Sequence, residues 1–182
     1  MASTAIQRGG IRVTEPTIGA LAAEAVHALI GHAASVAVAE SLTGGLVCGA
    51  LTSVPGASSV VRGAVVAYAT ELKADLLRVD PALLEREGAV HPDVAVGMAQ
   101  GVRERLGADV GVSTTGVAGP EPQDGRPVGE VYVAVATAAG VHVNPLTLDP
   151  ALGRSGIRTA SVEAALKLLV EILSSGSDLH EI

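Results

Sequence analysis

The sequence predicts an α/β domain, a three-layer α/β/α sandwich with a mixed, mostly parallel sheet. Three observations point there. Short apolar runs such as Ser35-Val36-Ala37-Val38-Ala39, Gly63-Ala64-Val65-Val66-Ala67-Tyr68 and Asp109-Val110-Gly111-Val112-Ser113-Thr114-Thr115 alternate with longer stretches of helical periodicity. The apolar fraction, 48% of 182 residues, comes almost wholly from Ala, Val and Leu, with no Phe or Trp and only Tyr68 and Tyr132 as aromatics. Small aliphatic side chains suit closely stacked layers. Residues 129–137 and 141–148 then read as an antiparallel hairpin about Ala138-Ala139-Gly140, which makes the sheet mixed.

No linker or charge run divides the chain, so one domain is expected over residues 14–174, with a disordered lead-in at 1–13 and a tail at 175–182. The first helix should start at Thr14-Glu15-Pro16, carry Ile18, Leu21, Ala22, Ala25, Val26 and Leu29 on one face, and end near Gly31. Leu46 to Leu51 can begin a second helix after the first strand. Pro55-Gly56 marks a loop. A helix over 70–77, with Thr70 as its cap and Lys73 in its first turn, should follow the second strand. Pro81 to Arg86 reads as a short helix. Pro92 opens another, whose Val94, Ala95, Met98, Ala99, Val102 and Leu106 form the apolar face before Gly107. Residues 121–128 are a Pro/Gly loop, and 157–173 form the closing amphipathic helix.

Composition excludes several classes of function. A formal net charge of −7 with no basic cluster and no aromatic platform argues against nucleic acid as a partner. No apolar run reaches the length that spans a bilayer and no signal segment is seen, so a soluble cytoplasmic protein without membrane contact is expected. Cys48 is the only cysteine, which rules out disulfides within the chain and a cysteine-built zinc site. No His, Asp and Glu cluster has metal-ligand spacing. Neither a phosphate loop of the G-x-x-x-x-G-K-[ST] type nor a G-x-S-x-G nucleophile elbow occurs, and no cofactor is expected.

Chemistry centres on Ala39-Glu40-Ser41-Leu42-Thr43-Gly44-Gly45, where a strand should become a helix. Ser41 would stand at a strand's carboxyl end, the ligand side of an open α/β sheet, beside the free N–H groups of a helix start. An ordinary N-cap followed by a glycine turn is the competing account. The chain has two lysines, and Lys167 lies between Glu163 and Glu171 in a helical charge ladder that explains it fully. Lys73 follows Tyr68 by five residues at the mouth of the second strand. If that strand neighbours the first, Lys73 lies near Ser41, and desolvation would lower its pKa enough for it to act as a base. Ser41, Lys73 and Tyr68 could then form a hydrolytic set without His or Asp; on spacing alone a surface lysine beside Glu71 or Asp75 is the favoured account. His91 precedes a helix start and could touch a ligand or serve structure. Arg154 and Arg158, four apart, make either a phosphate fork or a charged face, and Arg126 is another candidate anion contact.

Taken together, Glu40 to Gly45, Val54-Pro55-Gly56-Ala57-Ser58, the stretch 63–73, Gly88-Ala89-Val90, and Thr115-Gly116-Val117-Ala118-Gly119-Pro120 with Pro127-Val128-Gly129 resemble the CinA C-terminal domain family over about residues 16–173. The resemblance implies hydrolytic deamidation of nicotinamide mononucleotide (NMN) to nicotinic acid mononucleotide and ammonia, in pyridine nucleotide recycling. It implies Ser41 as nucleophile, Lys73 as base, Tyr68 as a hydroxyl aiding proton transfer and Thr115 on a second active-site loop. Glu40, Thr43, Gly44, Gly45, Gly116, Gly119, Arg126 and Arg154 are the expected substrate-binding residues, with the oxyanion held by N–H groups near Thr43, Gly44 and Gly45. No metal is implied. Where the family often carries Cys, Asn, Ser and Gly-Asp-Arg, this chain has Leu42, Thr70, His91 and Leu152-Gly153-Arg154. Larger members carry an N-terminal domain similar to molybdopterin-binding folds, so only the deamidase half is implied here. A homodimer or higher homo-oligomer is expected. The alternative from another class is a non-catalytic nucleotide-binding module of the competence/damage-inducible type.

Overall fold

A computed structural model describes residues 17–175. The expected lead-in and the Thr14-Glu15-Pro16 helix start lie outside the described residues, as does nearly all of the tail. Thr17, rather than Thr14, caps the first helix: its side chain accepts from the Ala20 N–H of α1 (Ile18–Gly31). Strand β1 (Val36–Glu40) follows, buried along its whole length because both of its faces are covered. After it come α2 (Leu46–Thr52), β2 (Val61–Val66), α3 (Thr70–Leu77), α4 (Pro81–Glu87), α5 (Pro92–Leu106) and β3 (Val110–Gly116). The hairpin β4 (Glu130–Thr137) and β5 (Gly140–Thr147) leads to the 22-residue α6 (Gly153–Ser174).

The sheet order is β2-β1-β3-β4-β5. β2 and β3 flank β1 in parallel, β4 pairs antiparallel with β3, and β5 pairs antiparallel with β4. Four of the five strands therefore run the same way. Alternation along the central strands sends their side chains to opposite faces. Val36, Val38, Val110 and Val112 pack with α1, α2 and α6, while Ala37 and Ala39 face α3, α4 and α5. These are the three layers that the sequence predicts.

Two boundaries shift. β2 begins at Val61 and ends at Val66, two residues before Tyr68, and α6 begins four residues before the expected start at 157. Thr70 opens α3 as its first residue, and the cap position is Ala69, with no side-chain hydrogen bond. The extra residue of β2 sits at a register shift between Val36/Ala37 of β1 and Val61/Gly63, which brings Val66 opposite Glu40. The carboxyl ends of β2, β1 and β3 thus finish together.

The position of α3 depends on close contact with α5. A Cβ added at Gly101 would stand 1.9 Å from the Leu77 carbonyl oxygen at the end of α3. Only glycine permits that approach without moving one helix. Gly101→Ala is expected to lower unfolding stability by about 1–3 kcal/mol, the usual range for overpacking, as read from urea denaturation.

Candidate active site

Three strand ends build the site. The Ala67 N–H donates to the Glu40 carbonyl at 2.9 Å and the Ser41 N–H donates to the Thr114 carbonyl at 3.0 Å, so β1 remains clamped on both sides up to its last residue. Ser41 then lines a cleft with Leu42, Tyr68, Ala89, Val90, the β3 exit from Thr115 to Gly119, and Glu121, Gln123 and Arg154. Ligands enter an open α/β sheet on this side.

Lys73 lies behind Ser41, away from the cleft. Its Nζ is 3.2 Å from Ser41 Oγ, donates to the Ala67 carbonyl at 2.8 Å and reaches the Tyr68 carbonyl at 3.5 Å. The residue is 0% exposed, which rejects the surface-lysine account. Burial lowers its pKa from 10.5 to about 8, with Glu71 and Asp124 acting weakly the other way. A lysine in this range is partly neutral near neutral pH and can take a proton from a hydroxyl. That acceptor lies within direct reach of Ser41.

Tyr68 lines the cleft with Ser41 and is 58% exposed; its hydroxyl accepts from Arg154 Nη2 at 2.7 Å, and Lys73 meets Ser41 directly. Arg154 Nη1 donates to the Gly119 carbonyl at 2.7 Å, joining the start of α6 to the β3 exit loop. Tyr68, Gly119 and Arg154 are brought together at the cleft mouth. Thr115 also lines the cleft, yet its hydroxyl donates to the Ala89 carbonyl at 2.7 Å and so ties the loop before α5 to β3.

Glu40 binds the protein's own backbone rather than substrate. Its buried carboxylate accepts from the N–H groups of Gly45 at 2.9 Å, Val47 at 3.1 Å and Cys48 at 2.9 Å. The α2 start, expected to be open to a substrate anion, is filled by this internal anion. Gly44 donates its N–H to the Ser41 carbonyl at 3.1 Å. Gly44 and Gly45, at φ of 60° and 98°, therefore shape the turn, and neither N–H remains for an oxyanion. Thr43 is fully buried, and its hydroxyl pairs with that of Thr114 at 2.7 Å.

Gly116 lies in the cleft wall for packing reasons, since a Cβ there would come within 2.7 Å of the Glu130 carbonyl oxygen. Arg126 is not at the cleft; it faces Glu130 at 3.4 Å and Glu87 at 3.9 Å. His91 caps α5 by accepting the Asp93 N–H on Nδ1 at 3.2 Å, a structural role. The expected arginine fork is split: Arg154 serves the mouth, whereas Arg158 donates to the Leu42 and Thr43 carbonyls, each at 2.9 Å. Sequence reasoning missed Glu121 and Gln123. Their position just after a glycine-rich strand exit is the signal that could have found them.

Among the described residues no His, Cys, Asp and Glu group could hold a metal ion, and no helix is long and apolar enough to cross a membrane. Truncation of Glu40 tests its assigned role. Glu40→Ala leaves three buried or half-buried N–H groups without their anionic acceptor and should lower unfolding stability by roughly 2–4 kcal/mol in urea denaturation.

Comparison with known proteins gives one consistent answer. The model of the CinA C-terminal domain matches residues 19–173. A CinA-like protein of Frankia casuarinae is 49% identical over 146 residues, covering 80% of this chain and 33% of the relative. The chain thus spans about a third of the length of the curated relatives it matches. The solved structure of competence/damage inducible protein CihA from Agrobacterium tumefaciens superposes with a TM-score of 0.82 at 36% identity, covering 86% of this chain and 95% of that one. A CinA superfamily protein from Escherichia coli gives 0.83 at 29% identity, over 89% and 94%. With its mixed five-stranded sheet and the ordered series of motifs along it, the chain belongs to the CinA C-terminal domain family.

Proposed function

We propose that this chain is a metal-independent serine amidohydrolase that converts NMN to nicotinic acid mononucleotide and ammonia. The observation that carries the reading is the buried Lys73 amine 3.2 Å from a serine oxygen that opens onto a cleft. A nucleophile with its base in direct contact is the minimum apparatus of covalent acyl transfer.

The steps follow from that contact. Neutral Lys73 takes the Ser41 hydroxyl proton as Oγ bonds to the carboxamide carbon, and the carbonyl π electrons move to its oxygen. The resulting Lys73 ammonium gives the proton to the amide nitrogen as the C–N bond breaks. Ammonia leaves an acyl-serine. Water then attacks that ester, Lys73 accepts its proton, and Ser41 departs with the proton returned. The N–H of Leu42, a cleft residue, has no protein acceptor among the described residues and is the backbone donor left for the oxyanion. Arg154, the one cation among the cleft residues, is the candidate contact for the substrate phosphate.

Ammonia release from NMN by the wild type, without added metal, is the direct test. Ser41→Ala and Lys73→Ala should each lose roughly 10³-fold or more in kcat, the scale of removing a nucleophile or its base. Binding of NMN without turnover would instead support a nucleotide-binding module.

The pH profile checks the role of Lys73. Its working form is neutral and its pKa is about 8. kcat/KM should therefore rise about tenfold per pH unit below that value and level off above it. A flat profile between pH 6 and 9 would exclude Lys73 as the base.

A further inference from the structure

From Ser41 to Leu46 the backbone N–H groups donate within the protein with two exceptions. Ser41 N–H donates to Thr114, Gly44 N–H to Ser41, Gly45 N–H to Glu40 and Leu46 N–H to Thr43 at 3.4 Å. The N–H groups of Leu42 and Thr43, in residues 3% and 0% exposed, donate to no protein atom among the described residues. Buried N–H groups are rarely left without an acceptor, and that of Leu42, which lines the cleft beside Ser41, marks a place for a negative oxygen, whereas Thr43 is not a cleft residue.

The carbonyls of this segment are held from the other side. Arg158, on the second turn of α6 and 116 residues from Leu42, donates Nε to the Leu42 carbonyl and Nη2 to the Thr43 carbonyl, both at 2.9 Å. In a trans peptide the C=O and N–H point in opposite directions. The Ser41 carbonyl accepts from Gly44 N–H and the Leu42 carbonyl from Arg158, so both peptides that flank Leu42 are held and the direction of its N–H is set. Gly44 makes room for the guanidinium, because a Cβ there would lie 3.3 Å from Nη2.

We propose that Arg158 is a positioning residue of the reaction: by clamping the Leu42 and Thr43 carbonyls it fixes the turn that aims the Leu42 N–H at the oxyanion. Arg158 does not touch substrate in this scheme. The proposal rests on the acyl-transfer reading of Ser41 given above. It also explains why the two arginines of α6, alike in spacing, differ in use, with only Arg154 facing the cleft.

The test uses the whole chain as wild type, Arg158→Ala, Arg158→Lys and, as a blank, Ser41→Ala. Two reactions are followed: ammonia release from NMN and Ser41-dependent release of p-nitrophenol from p-nitrophenyl acetate, which develops an oxyanion without any nucleotide. Arg158→Ala should lose roughly 10²-fold in kcat for NMN, the scale of losing one oxyanion donor, with KM within about twofold because ground-state binding is untouched. Arg158→Lys should fall between, as an ammonium cannot span both carbonyls. Millimolar guanidinium should restore part of the activity of Arg158→Ala, which a merely structural loss would not allow. An unchanged kcat, or a joint loss of kcat, KM and melting temperature without rescue, overturns the proposal. If the wild type ignores NMN but its Ser41-dependent ester cleavage falls in Arg158→Ala, the clamp stands and the NMN reading fails. A wild type inert toward both overturns both.

Discussion

The contact between the Lys73 amine and the Ser41 hydroxyl is the constraint on which the rest of the structure depends. Placing a lysine amine out of water is unfavourable, and its pKa shows by how much. A fall from 10.5 to about 8 corresponds to roughly 3 kcal/mol of folding free energy forgone. The folded chain holds its proton less firmly than the unfolded chain, so this loss is full below about pH 8 and is recovered as the pH climbs toward 10.5. The fold carries it by fixing both ends of the contact. Ser41 ends a strand clamped on both sides, and α3 is held down on α5 where Gly101 meets the Leu77 carbonyl. The Ala67 carbonyl, at the exit of β2, gives the amine its second partner.

Around Ser41 the polar groups are divided between structure and chemistry. A helix start near a nucleophile is a ready anion site, and here the Glu40 carboxylate takes it through the N–H groups of Gly45, Val47 and Cys48. That anion sits on the residue directly before Ser41 and secures the turn from both sides. Arg158 takes the carbonyls of the same turn. Opposite charges thus hold a five-residue loop by its backbone, leaving side-chain identity at Leu42 free of polar duty. The cost of a buried carboxylate is met by three N–H donors, which explains how a charged residue can end a fully buried strand.

Local signals in the sequence were enough for the layers and drew attention to Ser41 and Lys73. Short apolar runs placed the strands and a period of 3.6 the helices, and two lysines, one with an ordinary helical ladder, singled out Lys73. Its burial follows from β1 and β2 being parallel neighbours, which sequence spacing leaves conditional. Roles set by long-range contact were not legible. Arg126 looked like an anion contact because its loop is glycine-rich, but its partners are Glu87 and Glu130, brought close by the turn of that loop. Thr115 and Tyr68 carry hydroxyls toward the cleft as expected, but their bonds go to Ala89 and Arg154, and neither bond leaves a local pattern. Glu40 was misread for a related reason: its position beside Ser41 suggests substrate, whereas its partners five to eight residues ahead make it a helix cap.

Burial of the base also bears on the order of proton transfers. Lys73 is fully buried and is not among the cleft residues, whereas Ser41 is. A proton taken from Ser41 therefore has no direct path to bulk water. Its nearest basic destination, once the serine oxygen is bonded to carbon, is the nitrogen on that same carbon. In the proposed reaction the arrangement that would make Lys73 a base for attack would also make it the acid for departure of ammonia, the same proton serving both steps. A base open to solvent would lose that coupling, because exchange with water would compete with delivery to the leaving group. The unfavourable burial of Lys73 and the economy of the proposed two-residue centre follow from the same geometry.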